Sequence, residues 1–233
     1  MTILTAKLSA AAPSLFSRYA WTRAATVSDQ FIVAFTNFGL TLAIGRSFSH
    51  EEFASYGIGL SIGLMIQGIQ RHAFNIPLML EPDRRAGRRE RQMLAEQLFV
   101  LICSVVAGAI LLGATHYFGM SYYMHLVVAS SIVCLLIYTE LEFSRAFLIK
   151  FKRPATLIAT ACWYAAVSSG LAIASLQHWI DYEAVLTVLT FAMLVHFLAI
   201  ATIVSALDLE GGFRLFRFNL RRYGGWAFVA TAT

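Results

Sequence analysis

Residues 182–206 read YEAVLTVLTFAMLVHFLAIATIVSA, an apolar stretch interrupted only by Glu183 and His196. At 1.5 Å per residue, about 20 such residues cross the hydrocarbon core of a bilayer as a helix. Five more stretches of this kind lie N-terminal to it, at 27–45, 53–80, 93–115, 121–147 and 155–176. The sequence therefore predicts an all-α integral membrane protein with a six-helix transmembrane bundle.

The composition excludes a soluble enzyme, a disordered chain and a disulfide-rich secreted domain. Of the 233 residues, 58% are hydrophobic and 13% are charged, against about 45–50% and 25% in ordinary globular proteins. The net charge is +5, but the basic residues form short clusters between the apolar stretches, so we expect no nucleic-acid partner. Each of the three cysteines lies inside an apolar stretch, as expected of small side chains in helix contacts.

The basic residues predict the orientation of the chain. Sixteen of the 18 Lys and Arg residues lie before the first stretch, after the second or the sixth, or at and beyond the end of the fourth, where Arg145 is counted. The other two are Arg46, which follows the first stretch, and Arg71, which lies inside the second. The loops after the first, third and fifth stretches thus contain one basic residue, Arg46. By the positive-inside rule, the N-terminus and the basic segments are cytoplasmic.

This orientation divides the chain into three parts. Residues 1–26 form a cytoplasmic N-terminal segment or a short helix along the membrane surface, and 27–206 form the six-helix lobe. Residues 207–233 form a basic cytoplasmic loop and the start of a seventh helix, because the apolar run 226–233 is too short to cross a bilayer. The alternate loops are short, at 48–52, 116–120 and 177–181.

Polar side chains follow single faces of four predicted helices, at spacings that return to the same side of a helix. Two interpretations are open: hydrogen bonds between packed helices, or the lining of a hydrated cavity. The stripes are Gln30, Asn37 and Thr41, with Asp29 beside them; Gln67, Gln70, Arg71 and Asn75; Gln97, Ser104, Gly108 and Thr115, beside Glu96; and Ser131, Tyr138, Glu142 and Arg145.

Arg71 is the most informative single residue of these stripes. It precedes Pro77 by six residues, so its side chain can extend to the cytoplasmic interface. The alternative is that it faces the bundle, where it binds an anion or pairs with Asp29, since a guanidinium presents a planar fork suited to phosphate. The i, i+3 spacing of Glu142 and Arg145 predicts a local ion pair.

Four other residues have structural interpretations. Gly59 and Gly63 form a GxxxG motif, which predicts a close helix contact. His72 and His196 have no companions at metal-ligand spacing, so each is interpreted as a hydrogen-bonded helix residue. Pro77 predicts the end of the second helix or a kink in it.

No motif for hydrolysis, nucleotide binding or metal-dependent phosphoryl transfer is found in the sequence, and this argues against an enzyme. The sequence likewise predicts neither a cofactor nor a metal.

Several short motifs stand in the predicted helices and the segment after the fourth: SDQ (28–30), NF (37–38), FASYG (53–57), RHAFNIP (71–77), EFSRAF (142–147) and KRP (152–154). With these motifs, the chain resembles bacterial polysaccharide-biosynthesis membrane proteins, the oligosaccharide flippases of the multidrug/oligosaccharidyl-lipid/polysaccharide exporter superfamily. The resemblance extends over about 28–225. It implies one lobe of a twelve- to fourteen-helix fold in the bacterial inner membrane.

The resemblance also implies a function, namely export of a polyprenyl-pyrophosphate-linked oligosaccharide by alternating access. Glycan polymerases or glycosyltransferases would then be partners, beside the lipid bilayer and the lipid-linked substrate. The chemistry of the side chains suggests Arg71 and Arg145 for the pyrophosphate, Asp29 and Glu142 for ion coupling, and a set of amides for the sugar hydroxyls: Gln67, Gln70, Asn75, Asn37 and Gln30.

Two alternatives keep the same architecture. One is a non-transporting membrane scaffold for glycan assembly, and the other is a drug or ion exporter on the same fold. The predicted seventh helix stops at Thr233, so we expect the chain to be the N-terminal part of a longer transporter. Pairing of two copies or loss of transport would also account for a single lobe.

Overall fold

The structure of the protein, a computed structural model, describes residues 2–80, 86–202 and 207–232. These residues form helices and short connections, with no strand among them, so the prediction of an all-α fold is confirmed. A π-helical turn (Arg71–Asn75) joins the second helix to the third. The helices are α1 (Thr2–Ser47), α2 (His50–Gln70), α3 (Ile76–Leu80), α4 (Ala86–Tyr117), α5 (Tyr122–Lys150), α6 (Pro154–Leu176), α7 (Tyr182–Ala201) and α8 (Leu209–Ala232).

Five helical segments are long and apolar enough to cross a membrane: Ala20–Ser47, Arg88–Tyr117, Tyr122–Lys150, Pro154–Leu176 and Tyr182–Ala201. The second predicted span is not among them. Its main helix, α2, contains four glycines together with Gln67 and Gln70, which lower its mean hydropathy. Two parts of the predicted topology, the residues 203–206 of the sixth stretch and the basic residues Arg84 and Arg85, lie outside the described residues.

Side chains cap the N-termini of the helices that follow the short loops. Ser49 and Glu52 form a reciprocal capping box at α2, and Ser121 caps α5. The Asp181 carboxylate accepts a hydrogen bond of 2.7 Å from the backbone N–H of Ala184 at the start of α7. Such caps satisfy N–H groups that have no partner within the helix. The helix bounds leave three short connections where the sequence predicts them, between α1 and α2, α4 and α5, and α6 and α7.

Helix α5 lies at the centre of the fold. It packs along α2 and also contacts α4, α6 and α7, while α1 packs along α6. Large apolar side chains are exposed on the outside, and ionisable side chains such as Asp29, Glu140 and Glu142 are buried between helices. This distribution is the reverse of that in a water-soluble bundle and is typical of a protein embedded in lipid.

Gly59 and Gly63 make a close contact between α2 and α5, as the GxxxG motif predicts. A Cβ atom added to Gly59 would lie 2.6 Å from the backbone carbon of Ser130, and one added to Gly63 would lie 2.9 Å from that of Cys134. The two glycines therefore face successive turns of α5. Their missing side chains allow the two backbones to approach each other.

We expect Gly59→Ala to lower the thermal stability of the protein in detergent, because its methyl group would meet backbone atoms that cannot rotate away. A loss of about 1–3 kcal/mol is usual for such overpacking. Gly57→Ala is the matched control, since a Cβ there has nothing within 4 Å and alanine improves helix propensity. Equal melting temperatures for the two variants would contradict the close contact.

The π-helical turn lies directly before Pro77. Proline has no N–H to donate to the carbonyl four residues earlier, and its ring clashes with that carbonyl. Here the backbone N–H of Ile76 instead reaches the carbonyl of Arg71, five residues back. One turn thus contains an extra residue, and the helix continues as α3. Pro77 therefore does not end the helix, but a π-helical turn replaces the regular α-helix before it. Such π turns are frequent at functional sites.

Both ends of the chain differ from the predicted segments. Helix α1 begins at Thr2 and continues into the first apolar segment, where a separate N-terminal segment was expected. Helix α8 occupies Leu209–Ala232 as one element, where a basic loop followed by a new helix was expected. Its Gly212 and Asn219 are buried, and α8 packs against α4. Its arginines are exposed. The sequence did not predict this amphipathic helix, because the arginines of α8 were assigned to a loop.

Asp208 begins α8. Its carboxylate accepts a 2.9 Å hydrogen bond from the backbone N–H of Gly211. It also accepts one of 3.2 Å from the Gln92 amide of α4, and Arg88 lies 3.6 Å away. The Gly211 N–H, followed by the Gln92 amide and then Arg88, holds the pKa of Asp208 below its usual value. The same carboxylate therefore caps α8 and connects it to α4.

Candidate functional site

Five polar side chains from four helical elements meet between α1, α2, α5 and the π-helical turn. Arg71 donates from Nε to Oε1 of Glu142 at 2.7 Å and from Nη2 to Oε2 at 2.9 Å. The Gln67 amide donates to Glu142 at 3.1 Å. Arg145 donates to the same carboxylate at 3.3 Å and, from Nε, to Oδ2 of Asp29. We call these five residues the ion-pair cluster.

Burial within the ion-pair cluster is uneven. The side chains of Asp29 and Glu142 are 6% and 9% exposed and that of Arg145 is 15% exposed, whereas that of Arg71 is 49% exposed. Two arginines and two carboxylates make the cluster electrically neutral in its ionised form. Neutrality matters here because an unpaired charge inside a low-dielectric bundle is strongly destabilising.

The pairing partners decide between the interpretations left open for Arg71. Its guanidinium is bound bidentately to Glu142, so it faces the bundle, and the pairing with Asp29 is wrong: Arg145 takes that partner. The local pair of Glu142 and Arg145 is confirmed. Arg145, counted among the cytoplasmic basic residues, instead lies within α5 and binds two buried carboxylates, so it is not a loop residue.

A second polar group lies on the other side of α5, around Glu140. Its carboxylate accepts hydrogen bonds from Ser144 at 3.0 Å and from the Gln97 amide at 3.1 Å, and Nδ1 of His196 lies 3.3 Å away. Gln70 donates to the Oε1 atom of Gln97 at 3.0 Å. These five residues, the Glu140 cluster, join α2, α4, α5 and α7.

Glu140 is a residue that the sequence analysis missed. It lies two positions before Glu142, which at 100° per residue places the two side chains on nearly opposite sides of α5. A carboxylate within an apolar stretch was the available signal. The polar stripe of this helix contains Glu142, and Glu140 lies on the opposite side of the same helix.

The predicted amide set does not form one surface. Gln67 belongs to the ion-pair cluster and Gln70 to the Glu140 cluster, although both stand in one predicted stripe. The Oδ1 atom of Asn37 accepts a hydrogen bond from the Tyr164 hydroxyl. Asn75 is buried, and its Nδ2 atom has no hydrogen-bond partner among the described residues. Gln30 is exposed on α1.

The two histidines are hydrogen-bonded helix residues, as predicted. Nδ1 of His72 lies 2.8 Å from the carbonyl oxygen of Gly68, one turn earlier. Nδ1 of His196 lies within hydrogen-bond distance of Glu140 and Ser144. Within the ranges that the structure describes, no group of three or more His, Cys, Asp or Glu side chains is arranged to hold a metal ion.

A cavity of about 310 Å³ lies between α6 and α7, and His196 is one of its lining residues. Thr156, Ala159, Thr160 and Trp163 line the α6 side, and the surface of the cavity is mostly apolar. The cavity lies at the N-terminal part of α6 and the C-terminal part of α7. It therefore adjoins the Glu140 cluster and not the ion-pair cluster.

No protein-family model matches the chain, and no curated protein and no solved structure matches it. The resemblance to oligosaccharide flippases thus gains no support from these comparisons. Any function has to be argued from the two polar clusters and from the helices that carry them.

Proposed function

We propose that the protein takes part in moving a lipid-linked oligosaccharide across the bacterial inner membrane by alternating access, with the ion-pair cluster as the place where the pyrophosphate is attracted. The observation that carries the proposal is the unequal burial of the cluster. Asp29, Arg145 and Glu142 are enclosed, and Arg71 is half exposed at the edge.

Arg71 can exchange partners while Glu142 keeps two other hydrogen-bond donors. Two of the five N–H donors of its guanidinium bind Glu142, and the planar group can also bind phosphate oxygens. If Arg71 turns toward an anion, Glu142 keeps Arg145 at 3.3 Å and Gln67 at 3.1 Å. An arginine that leaves its carboxylate in this way is suited to a substrate that binds and departs.

The location of the cluster fits a moving part. It connects α1, α5 and the π-helical turn before Pro77, and that turn interrupts the regular helix at Arg71. Alternating access requires segments that rearrange around a site inside the membrane. In this proposal the amides of both clusters contact sugar hydroxyls as the site opens, Asp29 and Glu142 respond to the coupling ion, and glycan polymerases or glycosyltransferases act as partners.

The proposal is tested by deleting the gene in its own bacterium and following the lipid-linked oligosaccharide. We expect the loss of surface polysaccharide and the accumulation of the lipid-linked precursor in the inner leaflet, both reversed by the intact gene. Unchanged surface polysaccharide and unchanged precursor would overturn the proposal. Restoration must be measured at the native expression level, because excess membrane protein alone disturbs glycan export.

A scaffold for glycan assembly is the second candidate. The observation that favours it is that the charges of the ion-pair cluster satisfy one another, as in a cluster that only holds helices together. Deletion would then reduce synthesis of the lipid-linked precursor itself, with no accumulation in the inner leaflet. A drug or ion exporter would instead leave both glycan measurements unchanged and alter sensitivity to toxic cations.

The proposed lobe has a cytoplasmic N-terminus and six crossings, of which α2 with its π-helical continuation is one. Reporter fusions test this orientation, since the basic residues predict which connections are cytoplasmic. Two or more reversed sites would exclude the six-crossing arrangement. We expect cytoplasmic signals at Arg89, Lys152 and Arg217, and external signals at Glu51, Tyr117 and Asp181.

A further inference from the structure

Glu140 and His196 form the most deeply buried ionisable pair in the described part of the chain, with side chains 0% and 1% exposed. Neither residue belongs to the ion-pair cluster. We propose that this pair is a proton-binding site, loaded from the α6–α7 cavity through Nε2 of His196. Proton binding stands on the geometry of the pair, whereas its use in ion coupling rests on the proposed transport function.

The two carboxylates of α5 have opposite surroundings. Glu142 is bound by two arginines, and an arginine stabilises the ionised form of a carboxylate. Among the residues that the structure describes, the hydrogen-bond partners of Glu140 are Ser144, Gln97 and His196, and none of them is an arginine or a lysine. Glu140 is therefore the acid of the two that can be neutralised by a proton while its surroundings stay intact.

The imidazole of His196 is oriented as a relay. Its Nδ1 atom lies 3.3 Å from Oε1 of Glu140. Its Nε2 atom is buried without a hydrogen-bond partner among the described residues, and His196 lines the cavity between α6 and α7. An unpaired buried nitrogen is costly unless something binds it. Water or a hydronium ion entering that cavity supplies such a partner.

The relay step balances without another reactant. The neutral imidazole begins with its proton on Nδ1, donated to the Glu140 carboxylate. A hydronium ion transfers a proton to Nε2 and leaves as water, and the Nδ1 proton moves to Oε1 of Glu140. The products are a neutral carboxylic acid and an imidazole with its proton on Nε2, so the pair changes from charge −1 to 0.

A proton suits this site better than a sodium ion. Oε1 of Glu140 faces Ser144 and His196, and Oε2 accepts from the Gln97 amide. A metal cation would have to displace these donors, since it requires several oxygen ligands with free lone pairs. Proton transfer needs only that Nδ1 of His196 change from donor to acceptor.

Two other buried acids have hydrogen-bond partners of their own. On α4, Glu96 accepts a hydrogen bond from Asn219 of α8. On α1, Asp29, whose charge reaches His196 electrostatically, is paired with Arg145 of α5. Gln70 of α2 contributes a neutral amide through Gln97, and threonines of α6 line the cavity. No lysine or arginine in the described ranges bonds to the pair.

The test is infrared pH-difference spectroscopy of the full chain purified into lipid vesicles, followed at the carbonyl stretch of a protonated carboxyl group. We expect a band that grows as the pH falls, that is lost in Glu140→Gln and that titrates at a different midpoint in His196→Gln. Glu51→Gln is the matched control and should retain the band, because Glu51 is exposed at the start of α2.

Two further measurements keep the proposal falsifiable. Replacing choline chloride by sodium chloride should leave the midpoint unchanged, and a shift would indicate that sodium competes for the site. If Glu140→Gln does not fold, histidine ¹⁵N resonances of the wild type, assigned by His196→Asn, report the same titration. Persistence of the band in folded Glu140→Gln, or a His196 resonance that does not change with pH, would overturn the proton site.

The proton site and the transport function can fail separately. A titrating Glu140 in a protein whose deletion leaves glycan export unchanged would retain the site and remove the transport role. Export that is lost on deletion but unaffected by Glu140→Gln would retain transport and exclude Glu140 from coupling.

Discussion

Replacing Glu142 by alanine is expected to destabilise the protein by about 3 kcal/mol, the lower end of the range for breaking a buried ion pair. Its carboxylate binds Arg71 at 2.7 Å and Arg145 at 3.3 Å. The substitution therefore leaves two neighbouring arginines without the carboxylate that they share. The value lies at the lower end because Arg71 is half exposed and Arg145 retains Asp29. Reversible unfolding in mixed detergent micelles measures the loss.

A double-mutant cycle separates this effect from lost packing. Arg71→Ala removes one of the stranded charges, so the double variant should be less destabilised than the sum of the two single variants. Glu51→Ala is the control, since its exposed carboxylate at the first turn of α2 should matter by only a few tenths of a kcal/mol. Wild-type stability of Glu142→Ala would show that the cluster does not hold α5 to its neighbours.

The second large effect is expected on export. Arg71→Ala should reduce glycan export by about ten- to a hundred-fold at equal protein levels, the range that corresponds to losing hydrogen bonds to a charged group of 1.5–3 kcal/mol. Its effect on stability should be smaller than that of Glu142→Ala, because Glu142 keeps Arg145 as a partner. Surface polysaccharide and precursor in the inner leaflet are the measured quantities.

Two matched substitutions identify what Arg71 supplies. Arg71→Lys keeps the charge and loses the planar fork, so it should recover only part of the export. Arg46→Ala removes an exposed arginine at the other end of the helices and should export normally. Wild-type export by all three variants would make Arg71 a structural residue and favour the scaffold.

Much of the architecture follows from local patterns. A helix that is surrounded by lipid has to satisfy its own backbone hydrogen bonds, so a long apolar stretch has few alternatives to a helix. The three short loops follow from where these stretches stop. Gly59 and Gly63 mark the α2–α5 contact, because four-residue spacing alone places two glycines on one helix face. The amphipathic α8 was missed because its charges resemble those of a loop.

The site was predictable only in its parts. Arg71, Glu142, Arg145 and Asp29 could each be chosen from the sequence, because an ionisable side chain inside an apolar stretch is conspicuous. Their pairing could not, since residues 29, 71 and 142 are far apart in the chain and their contact depends on how three elements rotate and cross. Helical spacing gives the direction of a side chain around its own axis and says nothing about which neighbour lies there.

The sequence by itself thus determined that the chain is helical, apolar on the outside and marked by a few buried charges, because these are properties of each segment alone. Only the tertiary structure decided that Arg71 binds Glu142 and leaves Asp29 to Arg145. It also separated Gln67 from Gln70 and placed Glu140 against His196. The physical reason is that a polar group in a low-dielectric interior takes whichever partner the packing of the apolar faces brings within hydrogen-bond distance.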